Sequence, residues 1–430
     1  MIRVAHITDL HLSPERLDEQ AAILDSYATE AIRCGAGLAV VTGDLWGETV
    51  PYRPGVALLA ATGAWLRRLS QAMPVVVVAG NHDDLGSLSL LSLDAAAHPI
   101  HVIRDVWGTG ADDVRLWTPH GSVDVYALAY VRRGYVARTA GTGADATASR
   151  LASTLLRAQS GLIARDRADD PAGAVLGLGH WLVAGSTTGH GEVLRDGEPV
   201  VQRRDIDDWR VDYACLGHLH ARQTVGERAS YGGSPWPTDF GDLGLKAWSL
   251  IDIGERGPED ARPSPIAQTQ IIDAAGGLAR VEVHTVPTGA RPWVTLDYRW
   301  GLDDDGVPGW LDLPDETPAE GAHVRARLRI AAELEGTCPW RETVDRVAAV
   351  AASMAEPVVI RERGERDDVR APEIVHAADL AAQVEAWAGS LAESLDAASI
   401  EATIAALDEI AASTDDEIAA RSRAIAEGAA

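Results

Sequence analysis

The chain has 430 residues, a hydrophobic content of 46% and a formal net charge of −26. This length provides for two or three globular domains. The acidity argues against avid binding of duplex DNA by the chain alone, because such binding depends on neutralising phosphates. It leaves room for local basic patches, or for a partner that supplies the DNA contact. No apolar run of about 18 residues occurs, so no membrane span is expected.

The cysteines indicate a reducing compartment. Cys34, Cys215 and Cys338 are isolated and odd in number, which provides neither a disulfide framework nor a CxxC metal site. The first apolar segment starts at Ile2 and leaves no room for a signal peptide. We therefore expect a cytoplasmic protein.

Short apolar segments that read as buried strands recur in the first half of the chain. They span residues 2–7, 38–41, 75–78, 174–178 and 213–216. The gaps between the first three segments fit strand–helix–strand units, and helices are predicted near residues 15–34, 54–72 and 148–163. The pattern predicts an α/β fold.

Potential metal ligands follow each of these strands. They are Asp9, His11, Asp44, Asn81, His180, His218 and His220. Side chains just beyond strand ends meet at one edge of a sheet, where α/β proteins build their sites. Oxygen and nitrogen donors without cysteine suit Mn²⁺, Fe or Zn²⁺. These ligands exceed the needs of one ion, whereas two ions that share a carboxylate, roughly 3.5–4 Å apart, would use them all.

The chain is predicted to contain three parts, at residues 1–288, 289–370 and 371–430. The middle part reads as a small α+β unit and the last part as a helical tail. Surface loops are expected at residues 254–277 and 303–322, and a helix at residues 339–354. Further strands are expected at residues 280–286, 293–300, 323–331 and 357–363.

One predicted strand of the middle part has a row of arginines. Arg325, Arg327 and Arg329 alternate with apolar residues, so the three guanidinium groups share one face. Arg361 and Arg363 repeat the pattern on a later strand. Two interpretations stay open, a solvated sheet face and a surface that contacts DNA phosphates.

Apolar residues in the tail recur at helical spacing. They include Leu380, Val384, Trp387, Leu391, Ile404 and Leu407. Residues 371–430 contain 12 acidic and 2 basic side chains, which gives a net charge of −10. An acidic helical segment with an apolar stripe suits docking onto a helix of a partner. The alternative is that these helices pack on the chain's own second domain.

Five motifs resemble the calcineurin-like metallophosphoesterase superfamily. In chain order they are Asp9-Leu10-His11, Gly43-Asp44, Gly80-Asn81-His82-Asp83, Gly179-His180 and Gly217-His218-Leu219-His220. The later succession is similar to the SbcD branch, the nuclease subunits of a DNA-repair complex with an SMC-like ATPase of the SbcC type. It consists of Tyr231-Gly232-Gly233-Ser234-Pro235, Asp239-Phe240-Gly241-Asp242 and Lys246. The resemblance covers residues 1–255.

The resemblance implies a four-layer α-β-β-α sandwich, followed by a small α+β cap domain and a helical tail. It also implies two divalent ions, Mn²⁺ first, with Fe or Zn²⁺ as alternatives. One ion would be held by Asp9, His11, Asp44 and His220. The other would be held by Asp44, Asn81, His180 and His218, so that Asp44 bridges the two.

The resemblance implies that His82 is catalytic and contacts the phosphate or protonates the leaving oxygen. An imidazole suits a general acid at neutral pH; the alternative is a structural histidine behind the ligands. Asp83 is expected to orient a ligand or to cap a turn. Gly47 departs from the family, because nucleases commonly have a polar residue three positions after the bridging aspartate. Glu48-Thr49 could serve instead with a shift of one residue.

The resulting hypothesis is a Mn²⁺-dependent DNA endo- and exonuclease subunit. Its partners would be an SMC-like ATPase of the SbcC type and DNA, as single strands, ends or hairpins; a homodimer is an option. Two rival hypotheses stay open: a stand-alone enzyme for small phosphodiesters such as cyclic nucleotides, and a non-catalytic scaffold. The intact ligand set argues against the scaffold. The residues after His220 argue against a minimal phosphodiesterase.

Overall fold

The computed structural model describes residues 1–47, 53–104, 113–132, 144–169, 173–187, 198–242, 244–255 and 265–362, together with residues 400, 404 and 405. The chain divides into two compact units. The first contains residues 1–296, 315–326 and 343–357. The second contains residues 297–314 and 327–342 and the described residues from 358 onward. The predicted domain boundaries near residues 288 and 370 stay predictions.

Twenty strands are formed by the described residues. In chain order they are β1 (Ile2–Ile7), β2 (Leu38–Val41), β3 (Val75–Val78), β4 (Ile100–Ile103), β5 (Asp113–Thr118), β6 (Gly121–Leu128), β7 (Ala174–His180), β8 (Leu182–Val183), β9 (Val200–Val201), β10 (Tyr213–Gly217), β11 (Gln223–Val225), β12 (Ala229–Tyr231), β13 (Ala247–Ile253), β14 (Gln268–Ile272), β15 (Val281–Pro287), β16 (Trp293–Leu302), β17 (Pro308–Asp312), β18 (His323–Ala331), β19 (Ser353–Met354) and β20 (Val358–Glu362).

Six α-helices are found in the described ranges. They are α1 (Leu17–Arg33), α2 (Val56–Ser70), α3 (Leu85–Leu90), α4 (Ala144–Asp169), α5 (Arg203–Asp207) and α6 (Trp340–Ala348). Short 3-10 helices lie at Pro14–Arg16, Leu91–Asp94, Thr317–Ala319 and Ala332–Thr337. Within these described ranges, none of the helices has the length and apolar character needed to cross a membrane.

Two sheets organise the first unit. The first sheet has the order β14-β15-β13-β1-β2-β3-β4, in which β1 to β4 run parallel and β13 pairs antiparallel with β1. The second sheet has the order β11-β12-β10-β7-β6-β5, with β6, β7, β10 and β12 parallel. The central strands β1, β3 and β7 are fully buried, and β3 is a continuous run of valines, as expected for a parallel strand covered on both faces.

The sheets and helices form the α/β layers that the sequence predicts. One apolar core includes side chains from both sheets and from α1 and α2, and a second core lies between the second sheet and α4. Helix α1 buries its apolar stripe against the first sheet, where the Tyr27 hydroxyl donates to the Ala5 carbonyl at 3.1 Å. This arrangement directs the carboxyl ends of the parallel strands toward one site.

In the second unit, residues 299–302 of β16 pair antiparallel with β17, with Trp300 opposite Trp310. The later half of β18 pairs in parallel with β20. The start of β18 lies in the first unit, where His323 is opposite Ser353 of β19.

Several expectations for the second half of the chain are wrong. The predicted loop 254–277 contains β14, an edge strand that pairs with β15. Its exposed, polar Gln-Thr-Gln sequence is typical of a loop, which is why the strand was not predicted. The predicted loop 303–322 contains β17, which begins with Pro308 as edge strands tolerate. The helix predicted at 339–354 ends at Ala348, because the following residues are drawn into a strand beside β18. The sequence pattern also missed β4, β5 and β6.

The tail remains mostly outside the described residues. Leu380, Val384, Trp387, Leu391 and Leu407 all lie there. Ile404 is described, and it is helical and half-buried. The predicted apolar stripe therefore stays a prediction.

Candidate metal centre

The predicted ligands lie at the carboxyl ends of five strands, and four of the seven have a strained backbone. Asp9, His11, Asp44 and His218 have φ values of 51°, 42°, 54° and 100°. Such left-handed conformations are rare for residues other than glycine and cost roughly 1–3 kcal/mol each, so they concentrate at functional sites. Backbone hydrogen bonds hold the loops, with Asp9 N–H donating to the Gly43 carbonyl at 3.1 Å.

Two glycines are required by close packing around the ligands. A Cβ atom on Gly43 would lie 2.2 Å from His180 Nδ1, and one on Gly80 would lie 2.1 Å from Asp44 Oδ1. Neither neighbour is free to move, because each is a buried candidate ligand. The Gly-Asp and Gly-Asn-His-Asp motifs therefore have their glycines for steric reasons.

Asp9, His11 and His220 form one cluster, in which the donor atoms lie within 4.8 Å of one another. The Nε2 atoms of His11 and His220 are 2.9 Å apart. Asp44 Oδ2 lies 3.8 Å from His11 Nε2. This is the set that the sequence assigns to the first ion.

Asp44, His180 and His218 form a second cluster by the same measure. His180 Nε2 lies 3.1 Å from Asp44 Oδ2 and 3.0 Å from Asn81 Oδ1. His218 Nδ1 lies 3.1 Å from the same Asn81 oxygen. All seven predicted ligands thus lie in two adjoining clusters, with Asp44 between them.

Hydrogen bonds on the outer side of the imidazole rings determine which nitrogen faces each cluster. His180 Nδ1 lies 2.6 Å from the Thr42 carbonyl, which only accepts, so Nδ1 bears the hydrogen. His218 Nε2 lies 3.0 Å from the Glu198 carboxylate and likewise donates to it. In their neutral forms, His180 therefore turns Nε2 and His218 turns Nδ1 toward Asn81 as lone pairs.

In the first cluster, too, the outer ring nitrogens of the histidines are hydrogen-bonded. His11 Nδ1 donates to the Gly47 carbonyl, and His220 Nδ1 donates to Thr238 Oγ1 at 2.8 Å. Both Nε2 atoms consequently have lone pairs that face each other. Imidazole nitrogens and carboxylate oxygens thus converge in each cluster, an arrangement that suits a cation. The residues present therefore fit a pair of divalent metal ions.

The environment of the clusters shifts the pKa values of three of these ligands. Burial alone would lower the pKa of His180, but the neighbouring Asp44 raises it to about 9. Burial raises the pKa of Asp9. Burial, with the nearby His11, holds the pKa of His220 well below its ordinary value. Protons and metal ions compete for such sites.

Asp83 supports the ligand loops, as the sequence predicts. Its buried carboxylate accepts from the backbone N–H groups of Asp44, Leu45 and Gly80 at 2.8–2.9 Å. Burial, with the nearby Asp44, raises the pKa of Asp83 to about 6. Arg132, which the sequence analysis missed, donates to the carbonyl of Gly80 at 3.0 Å.

His82 lies beside the clusters without belonging to them. Its backbone N–H donates to Asp44 Oδ1 at 2.9 Å, and its Nε2 is 4.0 Å from Asp44 Oδ2. Its ring packs edge-on against His11 at 4.9 Å and its side chain is 17% exposed. Tyr130 lies beside the second cluster, with the centre of its ring 5.9 Å from that of the His218 ring.

No sequence motif marks the residues that orient the ligands from behind. Glu198 and Thr238 stand in no motif and reach His218 and His220 only through the tertiary fold. Gly47, which departs from the family pattern, accepts from His11 through its backbone, so this contact needs no particular side chain. Glu48 and Thr49 lie outside the described residues.

A third group of potential ligands is already neutralised. Asp252, Glu282 and His284 lie close together and are buried. Arg3 donates to both Asp252 oxygens at 2.6 and 2.9 Å, and Arg280 donates to Glu282 at 2.6 Å. This group is therefore a buried ion-pair network rather than a metal site.

The arginine row has the predicted alternation, with buried apolar residues between half-buried or exposed arginines. In the first unit, Arg325 lies over the Phe240 ring at 4.7 Å. In the second unit, Arg327 forms a two-bond ion pair with Asp297, and Arg329 is exposed. Part of the positive charge is thus neutralised within the chain.

Arg361 of β20 is likewise paired, with Glu335 at 2.6 Å. Arg363 lies outside the described residues. The proposed contact of this row with DNA stays a prediction.

Comparison with known proteins places these motifs in a wider group. A family model described as calcineurin-like phosphoesterase matches residues 2–222, the range that contains all seven candidate ligands. The SbcD component of the nuclease SbcCD from Bacillus subtilis (strain 168) is 25% identical over 347 residues, covering 77% of this chain and 80% of that protein. The protein of the same name from Staphylococcus epidermidis (strain ATCC 12228 / FDA PCI 1200) is 23% identical over 261 residues, covering 59% of this chain and 66% of that protein.

Solved structures are similar at a lower level. A dimetal phosphatase from Danio rerio matches with a TM-score of 0.37 and 12% identity, over 67% of this chain and 99% of that one. GAP50, the anchor in the inner membrane complex of Plasmodium, matches with a TM-score of 0.33 and 12% identity, over 83% of this chain and 96% of that one. Neither likeness supports a statement about activity.

Proposed function

Because the chain belongs to the calcineurin-like phosphoesterase family, we propose that it is the DNA-cleaving subunit of an SbcCD-type complex. The family and the relatives make the chain a metal-dependent phosphodiesterase or nuclease. The finer proposal is an exo- and endonuclease that processes double-strand breaks and hairpins. Its support is the similarity to two SbcD proteins over most of the chain.

The convergence of seven potential ligands in two adjoining clusters supports the metal assignment most strongly. We assign Asp9, His11 and His220 to one ion and Asn81, His180 and His218 to the other, with Asp44 shared. Mn²⁺ suits this mixed set of oxygen and nitrogen donors. When bound, such a pair of ions supplies an acidified water and neutralises charge on the phosphate.

We assign to His82 the contact with the phosphate or the proton for the leaving oxygen. The hydrogen bond from the His82 backbone N–H to Asp44 fixes the position of His82 relative to the shared ligand. Its side chain is partly exposed, so a substrate can reach it, whereas the His180 side chain is fully buried. Asp83 accepts hydrogen bonds from the loops that contain Asp44 and His82 and so holds both residues in place.

We further propose that the partner is an SMC-like ATPase, and that the acidic tail docks on it. A DNA contact by Arg325, Arg327 and Arg329 belongs to the same proposal, as does the option of a homodimer. The three unpaired cysteines support a cytoplasmic location.

A stand-alone enzyme for small phosphodiesters is the second candidate. The net charge of −26 and the neutralisation of Arg327 and Arg361 by carboxylates favour it. A non-catalytic scaffold is disfavoured, because a site released from selection would not keep all seven donors.

A substrate comparison with Mn²⁺ separates the candidates. The purified chain is incubated with single-stranded DNA, a DNA hairpin and a cyclic nucleotide, beside an Asp44→Asn control and a chelator control. The proposal expects cleavage of DNA, lost in both controls. Turnover of the cyclic nucleotide without DNA cleavage would favour the stand-alone enzyme, and no turnover of any substrate would favour the scaffold.

A further inference from the structure

Lysine is almost absent from this chain. Of the 38 lysine and arginine residues, 37 are arginine and one is Lys246. This single ammonium group is largely buried, with its side chain 9% exposed. Its position is therefore not that of an ordinary solvated surface cation, for which the chain uses arginine.

Lys246 sits between two acceptors. Its Nζ forms a short ion pair with Asp242 Oδ1 and donates to Ser234 Oγ at 2.9 Å. Ser234 Oγ in turn donates to the second Asp242 oxygen, Oδ2, at 3.2 Å. A compact ammonium fits this closed arrangement, whereas a planar guanidinium spreads its donors over a wider fork.

The second carboxylate oxygen of Asp242 is linked through Thr238 to His220 in the first cluster of candidate ligands. Both the backbone N–H and the hydroxyl of Thr238 donate to Asp242 Oδ2, each at 3.2 Å. The Thr238 hydroxyl has then used its hydrogen, so it can only accept from His220 Nδ1, 2.8 Å away. This direction leaves the lone pair of His220 on Nε2, which faces the cluster.

Stability alone does not account for the pair. Desolvation of two buried charges commonly cancels the gain from their attraction, so a buried ion pair is weak evidence for stabilisation. Burial, partly offset by Asp242, lowers the pKa of Lys246. The pair is instead placed where it fixes the orientation of one hydroxyl that bonds a metal ligand.

We propose that Lys246 and Asp242 are positioning residues that act through Thr238 to hold His220 in the tautomer that binds metal. They thereby set the affinity of the ion that His220 contacts. This inference rests on the proposed metal role of His220. A group that accepts a hydrogen bond from the outer nitrogen of a metal-binding histidine typically contributes 10–100-fold to metal affinity.

The test measures Mn²⁺ binding by calorimetry on the full chain, without any nucleic acid. In Thr238→Val, which keeps the shape and removes the hydroxyl, the affinity for one of the two ions should fall about 10–100-fold. Thr238→Ser restores the hydroxyl and should restore the affinity. Lys246→Met should weaken the same ion, and the double variant should lose no more than the stronger single variant, because both act along one path.

Arg167→Met provides the matched control. Arg167 also forms a largely buried ion pair, with Asp212, outside both clusters of candidate ligands. This variant should lower the melting temperature and leave both Mn²⁺ affinities unchanged.

Equal Mn²⁺ affinities in Thr238→Val and the wild type, or additive losses in the double variant, would overturn the inference. Thr238→Val keeps the inference testable if Lys246→Met does not fold. Failure of the proposed function gives a different result, namely a wild-type chain that binds two Mn²⁺ ions without cleaving DNA. A wild-type chain that binds fewer than two ions would remove the premise itself.

Discussion

The Nε2 atoms of His11 and His220 lie 2.9 Å apart, and the outer hydrogen bonds of both rings leave a lone pair on each. Two lone pairs that face each other repel, so this contact suits a cation shared by the two rings. In the second cluster, His180 Nε2 likewise faces the Asn81 side-chain oxygen, at 3.0 Å. The fold thus presents donors to metal ions and leaves His82 beside them for chemistry.

His82→Ala should separate metal binding from turnover. The variant should keep both ions, because His82 contributes no donor to either cluster. Its rate should fall by roughly 10²–10⁴, the usual contribution of a general acid. The measurement combines Mn²⁺ content with DNA cleavage under single-turnover conditions.

His120→Ala is the control for this substitution, since His120 lies on an exposed turn after β5. It should behave as the wild type. Loss of an ion in His82→Ala would instead make His82 a ligand and would show that its assigned role is wrong.

The arginine row is tested by replacing Arg325, Arg327 and Arg329 with serine. DNA binding should weaken, and the slope of its salt dependence should flatten by up to ~0.9 for each duplex phosphate that the variant no longer neutralises. Hydrolysis of a small chromogenic phosphodiester should not change. Binding is measured by fluorescence anisotropy over a series of salt concentrations.

A charge-matched control replaces Arg33, Arg115 and Arg165, which are exposed and paired with nearby carboxylates. It changes the net charge by the same amount. If both triple variants alter the salt slope equally, the row is a solvated face and the effect is one of net charge.

The tail is tested by deleting residues 372–430. The shortened chain should remain soluble, bind Mn²⁺ and cleave a small phosphodiester, but should no longer bind the ATPase partner. The measurement is co-purification of the two proteins. Trp387→Ala in the full chain is the milder variant, and it should weaken the complex without affecting metal binding.

Aggregation of the shortened chain would show that the tail completes the chain's own core. Retained binding of the ATPase would place the docking surface elsewhere.

Much of the metal centre could be predicted because its ligands follow buried parallel strands. The predicted segments 2–7, 38–41 and 75–78 coincide with β1, β2 and β3. The apolar runs of β2 and β3 allow few other structures at that length, and ligands just past the ends of parallel strands converge.

The remaining parts depend on tertiary contacts that no local pattern records. Glu198 is 20 residues from His218 in sequence, and Thr238 is 18 residues from His220. The edge strands β14 and β17 are polar or interrupted by proline and glycine, so they resemble loops. These two segments become strands because they pair with β15 and β16.

His6 should make stability depend on pH in the metal-free chain. It is buried in β1 with Nε2 2.8 Å from Thr42 Oγ1, and burial, with the nearby Arg222, lowers its pKa from 6.5 to about 3. Between these values only the unfolded chain binds the proton, so stability falls as pH drops below 6.5. Relative to His6→Gln, the wild type should lose about 2 kcal/mol between pH 7 and pH 5.

The measurement is urea unfolding of both chains in chelator at the two pH values. The comparison cancels the titration of the metal ligands, which both chains share. Parallel pH profiles for the two chains would mean that His6 takes up a proton in the folded state.

The sharing of Asp44 is the centre of the account, and Mn²⁺ stoichiometry tests it most directly. Equilibrium dialysis of the wild type should find two ions per chain. Asp44→Ala removes the shared carboxylate, so both sites lose a ligand, both affinities should fall and DNA cleavage should disappear. Two tightly bound ions and full activity in Asp44→Ala would contradict the account.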